Sequence, residues 1–173
     1  MELVPYSPDD LWLTERIECD PVMMVHLGGP VPKEDIFGIH ARRARLVIDG
    51  TWYFKVVTDT GEAAGTIGLW DEEFEGHPIY EMGWGILPEF QGQGLATDAG
   101  LMILNRARSD PQFTVVHAFP AVGNAPSNAI CRKLGFEKLE EFDNAYRGRP
   151  LRCYNWRLSL RDADHPSIPQ VQA

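Results

Sequence analysis

The sequence predicts one mixed α/β domain in which helices flank a mainly antiparallel sheet. Three observations carry that expectation. The first quarter is punctuated by helix starts, the segment from Thr51 has the β-branched and aromatic content of paired strands, and residues 79–119 read as strand, glycine loop, helix and strand. With 173 residues the chain can bury one sizeable core, and no apolar run approaches the ~18 residues of a membrane span. A composition of 44% hydrophobic and 24% charged residues excludes collagenous and disordered classes.

Ser7-Pro8-Asp9-Asp10 starts a helix over about 8–18, since Ser caps free amides, Pro suits the first turn and acids favour the positive dipole end. His26-Leu27-Gly28-Gly29-Pro30 interrupts it, and Pro32 with Glu34 and Asp35 opens a second helix to about residue 47, weakened at Gly38. Trp52 to Val57 and Ala63 to Trp70 form a hairpin around Asp59-Thr60-Gly61. Asp71, Glu72, Glu73 and Glu75 read as a solvated acidic connection closed by Gly76 and Pro78, before a third strand at 79–87. Leu95, Ala99, Met102 and Ile103 recur at helical spacing and predict a helix over 94–108, followed by a strand at 113–119. A helix starts at Asn124-Ala125-Pro126-Ser127 and ends at Gly135 in a left-handed cap. Strands at 136–142 and 151–160 close the domain, which is expected to span 1–161 with an extended tail over 162–173.

The charge balance, 25 Asp and Glu against 16 Lys and Arg for a net −9, argues against a nucleic acid partner and favours a cationic small molecule or peptide, and the lack of a long apolar run argues against a membrane. Cys19, Cys131 and Cys153 form no CxxC pair and no metal-ligand spacing with His, so neither a disulfide framework nor a metal site is expected. These features, with an N-terminus lacking a signal-peptide pattern, point to the reducing cytoplasm.

The chemistry concentrates in Leu87-Pro88-Glu89-Phe90-Gln91-Gly92-Gln93-Gly94-Leu95-Ala96. At a strand-to-helix junction, unpaired amides and the helix dipole point the same way and can cradle a phosphate, while Gly92 and Gly94 let the backbone come close. The loop lacks the Gly-Lys-Ser/Thr of a Walker A loop and the third glycine of GxGxxG. A purely structural glycine turn is the competing reading.

Gln91, Gly94 and Ala96 resemble the Q/R-x-x-G-x-G/A signature of the GNAT N-acetyltransferase superfamily, and Asn124-x-x-Ser127 followed by Arg132-Lys133-Leu134-Gly135-Phe136 resembles its later motif. Glu81-x-Gly83-Trp84 and Ala96-Thr97-Asp98-Ala99 are similar to the RimJ/RimL-like branch, which acetylates protein N-termini. The resemblance implies a mixed sheet whose third strand and the strand at 113–119 run parallel and splay at a slot for acetyl-CoA, the co-substrate. It implies contacts to that co-substrate from Ile86, Leu87, Gln91, Gly92, Gln93 and Gly94, and from Leu95, Ala96, Thr97, Asn124, Ser127 and Lys133. It also assigns the acceptor side to residues 18–40, including Leu27-Gly28-Gly29-Pro30.

Amine attack on a thioester needs a neutral amine, and an alkylamine with a pKa near ~10.4 arrives protonated. Glu81 shares a strand face with Gly83 and Gly85 and is the first candidate base; His117, on the neighbouring strand, is the second. Cys131 stands where the resemblance leads one to expect a Tyr that protonates the departing thiolate; it is a candidate acid or a packed core residue. Ser127, one turn earlier, is a further candidate, whereas Tyr146 and Tyr154 have no expected place. The function this supports is acetyl transfer from acetyl-CoA to a primary amine, a protein N-terminus or a small cationic amine, with a homodimer left open. A non-catalytic acyl-CoA sensor and a plain interaction module are the alternatives.

Overall fold

Among the described residues seven strands form one sheet with helices on both faces, so its central part is covered on both sides and residues 64–69 are buried in succession. The computed structural model describes residues 1–161; the tail expected over 162–173 lies outside them. The elements are β1 (Glu2–Pro5), a 3-10 turn at Pro8–Asp10, α1 (Leu11–Glu18), α2 (Lys33–Ile48), β2 (Trp52–Val57), β3 (Ala63–Phe74) and β4 (His77–Ile86). They continue through α3 (Leu95–Arg108), β5 (Val115–Ala118), α4 (Ala125–Lys133), β6 (Glu137–Tyr146) and β7 (Arg149–Ser159). The strand order is β1-β2-β3-β4-β5-β7-β6, antiparallel at every described pairing except β4 with β5.

One face carries Phe54, Val56, Ile67, Leu69, Met82, Val116 and Trp156 against Ile103 and Leu104 of α3 and Leu134 after α4. Fully burying each such aliphatic side chain contributes roughly 1.5–3 kcal/mol. A Cβ on Gly100 of α3 would lie 2.7 Å from Leu134 and 3.2 Å from Met82, so a side chain there would force these buried neighbours to move. The opposite face receives α1 and α2: Ile17 of α1 packs beside Gly85. Met24, Val31, Ile36 and Ile39 form a second, smaller core between α1 and α2.

Several boundaries differ from the sequence expectation. Residues 2–5 add an edge strand paired with β2, and the first helix opens with a 3-10 turn in which Asp10 accepts from the Ser7 amide at 2.7 Å and its hydroxyl at 2.8 Å. The acidic run is not a loop. β3 extends to Phe74 and turns through Glu75 and Gly76, both at positive φ; Asp71, Glu72 and Glu73 are exposed at this end of the sheet while Phe74 packs on Phe119 and Phe142. Likewise β6 and β7 run through the segment expected to be a loop and meet at a two-residue turn, Arg147-Gly148, with φ of 51° and 74°. This longer hairpin reaches back over the α1–α2 connection. Tyr146 bonds the buried Glu18 carboxylate at 3.2 Å, Arg43 of α2 pairs with the other oxygen, and Arg147 stands 3.9 Å away.

Candidate active site

β4 and β5 pair over two rungs, Tyr80 with Val116 and Glu81 with His117. Beyond Glu81, β4 continues to Ile86 beside β3, while the chain after β5 bends toward β7 through a bridge from Ala121 to Cys153. The strands therefore fork, and the β4 edge from Met82 to Ile86 faces a slot. An extended ligand arm can use such an edge as an added strand would.

Glu81 and His117 form the last rung before the fork, and as registered partners they project to the same face, that of α1 and α2. Glu81 is half-buried. Burial, then the charge of Glu72, raise its pKa from an ordinary 4.5 to about 7, and a hydrogen bond from Trp70 offsets part of this. Trp70 is the β3 partner of Glu81, and its indole fills the space over Gly83, where a Cβ would meet it at 2.5 Å. His117 is buried between Phe74 and Phe119, with ring centroids 6.2 and 5.9 Å away, and its Nδ1 lies 2.8 Å from Asn155 Oδ1.

At the end of β4, the Ile86 carbonyl accepts from Gln91 Nε2 at 2.8 Å, so Gln91 ties the glycine loop to the slot. Gly92 and Gly94 adopt φ of 76° and 84°, and Gly94 is the N-cap of α3. Among the described residues the amides of Gly92, Gln93, Gly94, Leu95 and Ala96 meet no backbone acceptor, and they converge with the positive end of a 14-residue helix. Thr97 already donates to the Gly94 carbonyl, and Gln93 is fastened through its side chain to the Glu89 carbonyl at 3.3 Å. Leu87 frames the slot without lining it: its amide serves Ala64, its carbonyl serves Phe90, and its side chain is buried against Leu13 and Ile17. Gly94→Glu places a strained side chain and a negative charge among these amides. It is expected to weaken acetyl-CoA binding by about 10–100-fold in calorimetry, and a folded variant with unchanged affinity would refute the anion site.

On the other bank, Asn124 caps α4 by accepting from the Ser127 amide at 3.1 Å. Asn128 secures that helix, donating to the Ala121 and Asn124 carbonyls and accepting from Trp156 Nε1 at 2.8 Å. Cys131 is fully buried in the main core, and burial pushes its thiol to about 12. Of the two expected roles for Cys131, proton donor or packed core residue, this burial supports the second. Lys133 is exposed in the last turn of α4. Asn124→Ala is expected to cost about 0.5–2 kcal/mol through the lost cap and also to reduce the rise in Tm on adding acetyl-CoA. An unchanged ligand-induced rise would confine Asn124 to capping.

A model of the acetyltransferase (GNAT) domain matches residues 1–137, most of the chain. The chain belongs to the GNAT acetyltransferase family. Solved structures show the same fold at low identity. A protein from Salmonella typhimurium solved with its cofactor acetyl-CoA superposes with a TM-score of 0.75 at 20% identity, over 98% of this chain and 99% of that one. Spermidine N-acetyltransferase from Vibrio cholerae, in complex with CoA and spermine, gives 0.76 at 16% identity over 92% and 95%. Ribosomal-protein-alanine N-acetyltransferase from Brucella melitensis gives 0.74 at 20% over 92% and 99%.

In this GNAT domain, the α1–α2 connection spans the fork. Met23 lies 3.4 Å from a Cβ placed on Gly85, and His26 lies 3.9 Å from one on Gly123. Arg149 fastens the connection to the hairpin by donating to the carbonyls of Gly28 at 2.7 Å and Gly29 at 2.6 Å. Gly28 is at φ 84° with the Arg149 stem 2.6 Å from its would-be Cβ, so glycine is needed there for both conformation and space. Beside it a cleft of about 390 Å³ is lined by Val31, Asp35, Arg42, Arg147 and Arg149. Tyr146 sits at the hairpin tip on Glu18, and Tyr154 packs toward the main core under Lys138. Trp70, Asn155, Asn128 and Arg149 had no sequence signal; only strand register, legible for β3 against β4 once the Glu75-Gly76 turn is recognised, could have nominated Trp70.

Proposed function

We propose that this chain transfers the acetyl group of acetyl-CoA to a primary amine by direct attack. The observation that carries this reading is the fork itself: two proton acceptors at its base, with an open strand edge and a ring of free amides leading away from it. The amides of Gly92 to Ala96 suit the pyrophosphate, and the β4 edge and Asn124 suit the pantetheine arm. The residues present thus fit acetyl-CoA, which supplies the activated acetyl group. Glu81 removes a proton from the incoming ammonium, directly or through water. With a pKa of about 7 it is partly ionised at neutral pH and close in strength to an efficient general base.

The acceptor enters between the sheet and the α1–α2 connection. The related folds include one enzyme named for spermidine and one for a ribosomal-protein alanine, so both a small cationic amine and a protein N-terminus, as in the RimJ/RimL-like branch, are candidates. The cleft beside the connection favours the second, because a polyamine there would meet Arg42, Arg147 and Arg149 with Asp35 as the one acidic lining residue. Three free cysteines support a reducing, cytoplasmic setting, and no described helix is long and apolar enough to cross a membrane. Thiol release from acetyl-CoA against a panel of N-terminal peptides and polyamines tests the function. Acetyl-CoA binding without release from any amine would replace it with a sensor role.

A further inference from the structure

Behind His117 lies a chain of hydrogen bonds that decides where its proton sits. Asn155 Nδ2 donates to Glu140 Oε1 at 2.8 Å, and a carboxylate accepts, so the amide orientation follows: Nδ2 faces Glu140 and Oδ1 faces His117. Oδ1 can only accept, so the His117 Nδ1 at 2.8 Å must carry the hydrogen. Neutral His117 therefore keeps a lone pair on Nε2, which has no partner among the described residues and is not sealed from solvent. The arrangement is built into the hairpin. The register of β6 against β7 slips between Lys138 and Glu141, and this bulge turns Glu140 toward Asn155. Asn155 is buried, and both it and Glu140 lie beyond the residues matched by the family model.

We propose that Glu140 and Asn155 are positioning residues that hold His117 as its Nδ1–H tautomer, so that Nε2 accepts an N–H of the acceptor amine beside Glu81. This rests on the acetyltransferase reading. Converting an alkylammonium to an amide releases two protons, and the fork supplies two acceptors. Glu81 takes the first proton, and the neutral amine, oriented by Nε2, attacks the thioester carbon. The C–N bond forms, the C–S bond breaks and the electron pair leaves on sulfur. Nε2 takes the second proton, the thiolate regains one of the two, and the other passes to solvent.

Nitrogen NMR of the labelled wild-type protein, with His117→Gln to assign the signal, is expected to show the proton on Nδ1. Asn155→Leu is expected to lower kcat about 10-fold with acetyl-CoA affinity unchanged, the scale of losing an orienting partner. Asn155→Asp still accepts from Nδ1 and is expected to recover most of kcat. Its added charge, with Glu81 and Glu140 against Arg157 on the facing strands, moves the acidic limb of the pH profile to higher pH. A proton on Nε2 in the wild type, or wild-type kcat and pH profile in Asn155→Leu, overturns the proposal. Failure of the wild type to release CoA with any amine overturns the function itself, an outcome on which the tautomer measurement does not depend.

Discussion

Glu81→Gln is expected to lower kcat by about 10²–10⁴-fold while leaving acetyl-CoA affinity intact. The part of the acidic limb that Glu81 contributes, centred near its pKa of about 7, should vanish, and raising the pH should partly rescue the variant as more amine arrives neutral. The same substitution is expected to stabilise the fold in alkaline solution. The folded pKa lies above the ordinary value, so the favourable contribution of the protonated carboxyl is complete below about 4.5 and is lost as pH rises through about 7. Above that pH the wild type holds a half-buried carboxylate near Glu72, and Gln removes its charge. Denaturation at pH 8 should show the variant more stable by about 1–3 kcal/mol, with the difference closing toward pH 5. A Gln variant with wild-type kcat and profile would rule out Glu81 as the base.

The second large effect concerns stability. Arg43 pairs with the Glu18 carboxylate, which is 2% exposed, and stacks over the Tyr53 ring at 5.5 Å. Arg43→Met would leave Glu18 with the Tyr146 hydroxyl and the more distant Arg147, at an expected cost of about 3–5 kcal/mol in urea denaturation. Breaking one member of a buried pair strands the other charge, whereas removing both does not. Adding Glu18→Gln to Arg43→Met should therefore restore much of the loss, since Gln still accepts from Tyr146. A single Arg43→Met variant within 1 kcal/mol of wild type would show that the pair is not what fastens the α1–α2 connection to the hairpin.

Local grammar was enough for α3 and α4. Apolar spacing at Leu95, Ala99 and Ile103 and a left-handed Gly135 are properties of short stretches, and the two helices lie within a residue or two of the expected positions. The glycine loop and the order of the motifs were likewise readable, because amides at a helix start face one way whatever the rest of the chain does. Strand ends were not. Asp71 to Phe74 and Asp143 to Tyr146 look like loops by composition, yet they pair because cross-strand partners and buried aromatics such as Phe74 outweigh a weak intrinsic preference.

Glu81 could be nominated from its strand and face, but its altered acidity could not, since that depends on burial, Glu72 and Trp70 gathered by register. Cys131 shows the converse, a position where the motif left an acid or a packed residue open and where the fold supplies the packing, in the main core. The Glu140–Asn155–His117 chain joins three strands through a one-residue slip in pairing. Sequence by itself determined the local elements and the glycine loop at the start of α3, where the interacting groups are close along the chain. Tertiary structure alone decided proton placement and side-chain acidity, because those energies depend on partners tens of residues away and on the water excluded between them.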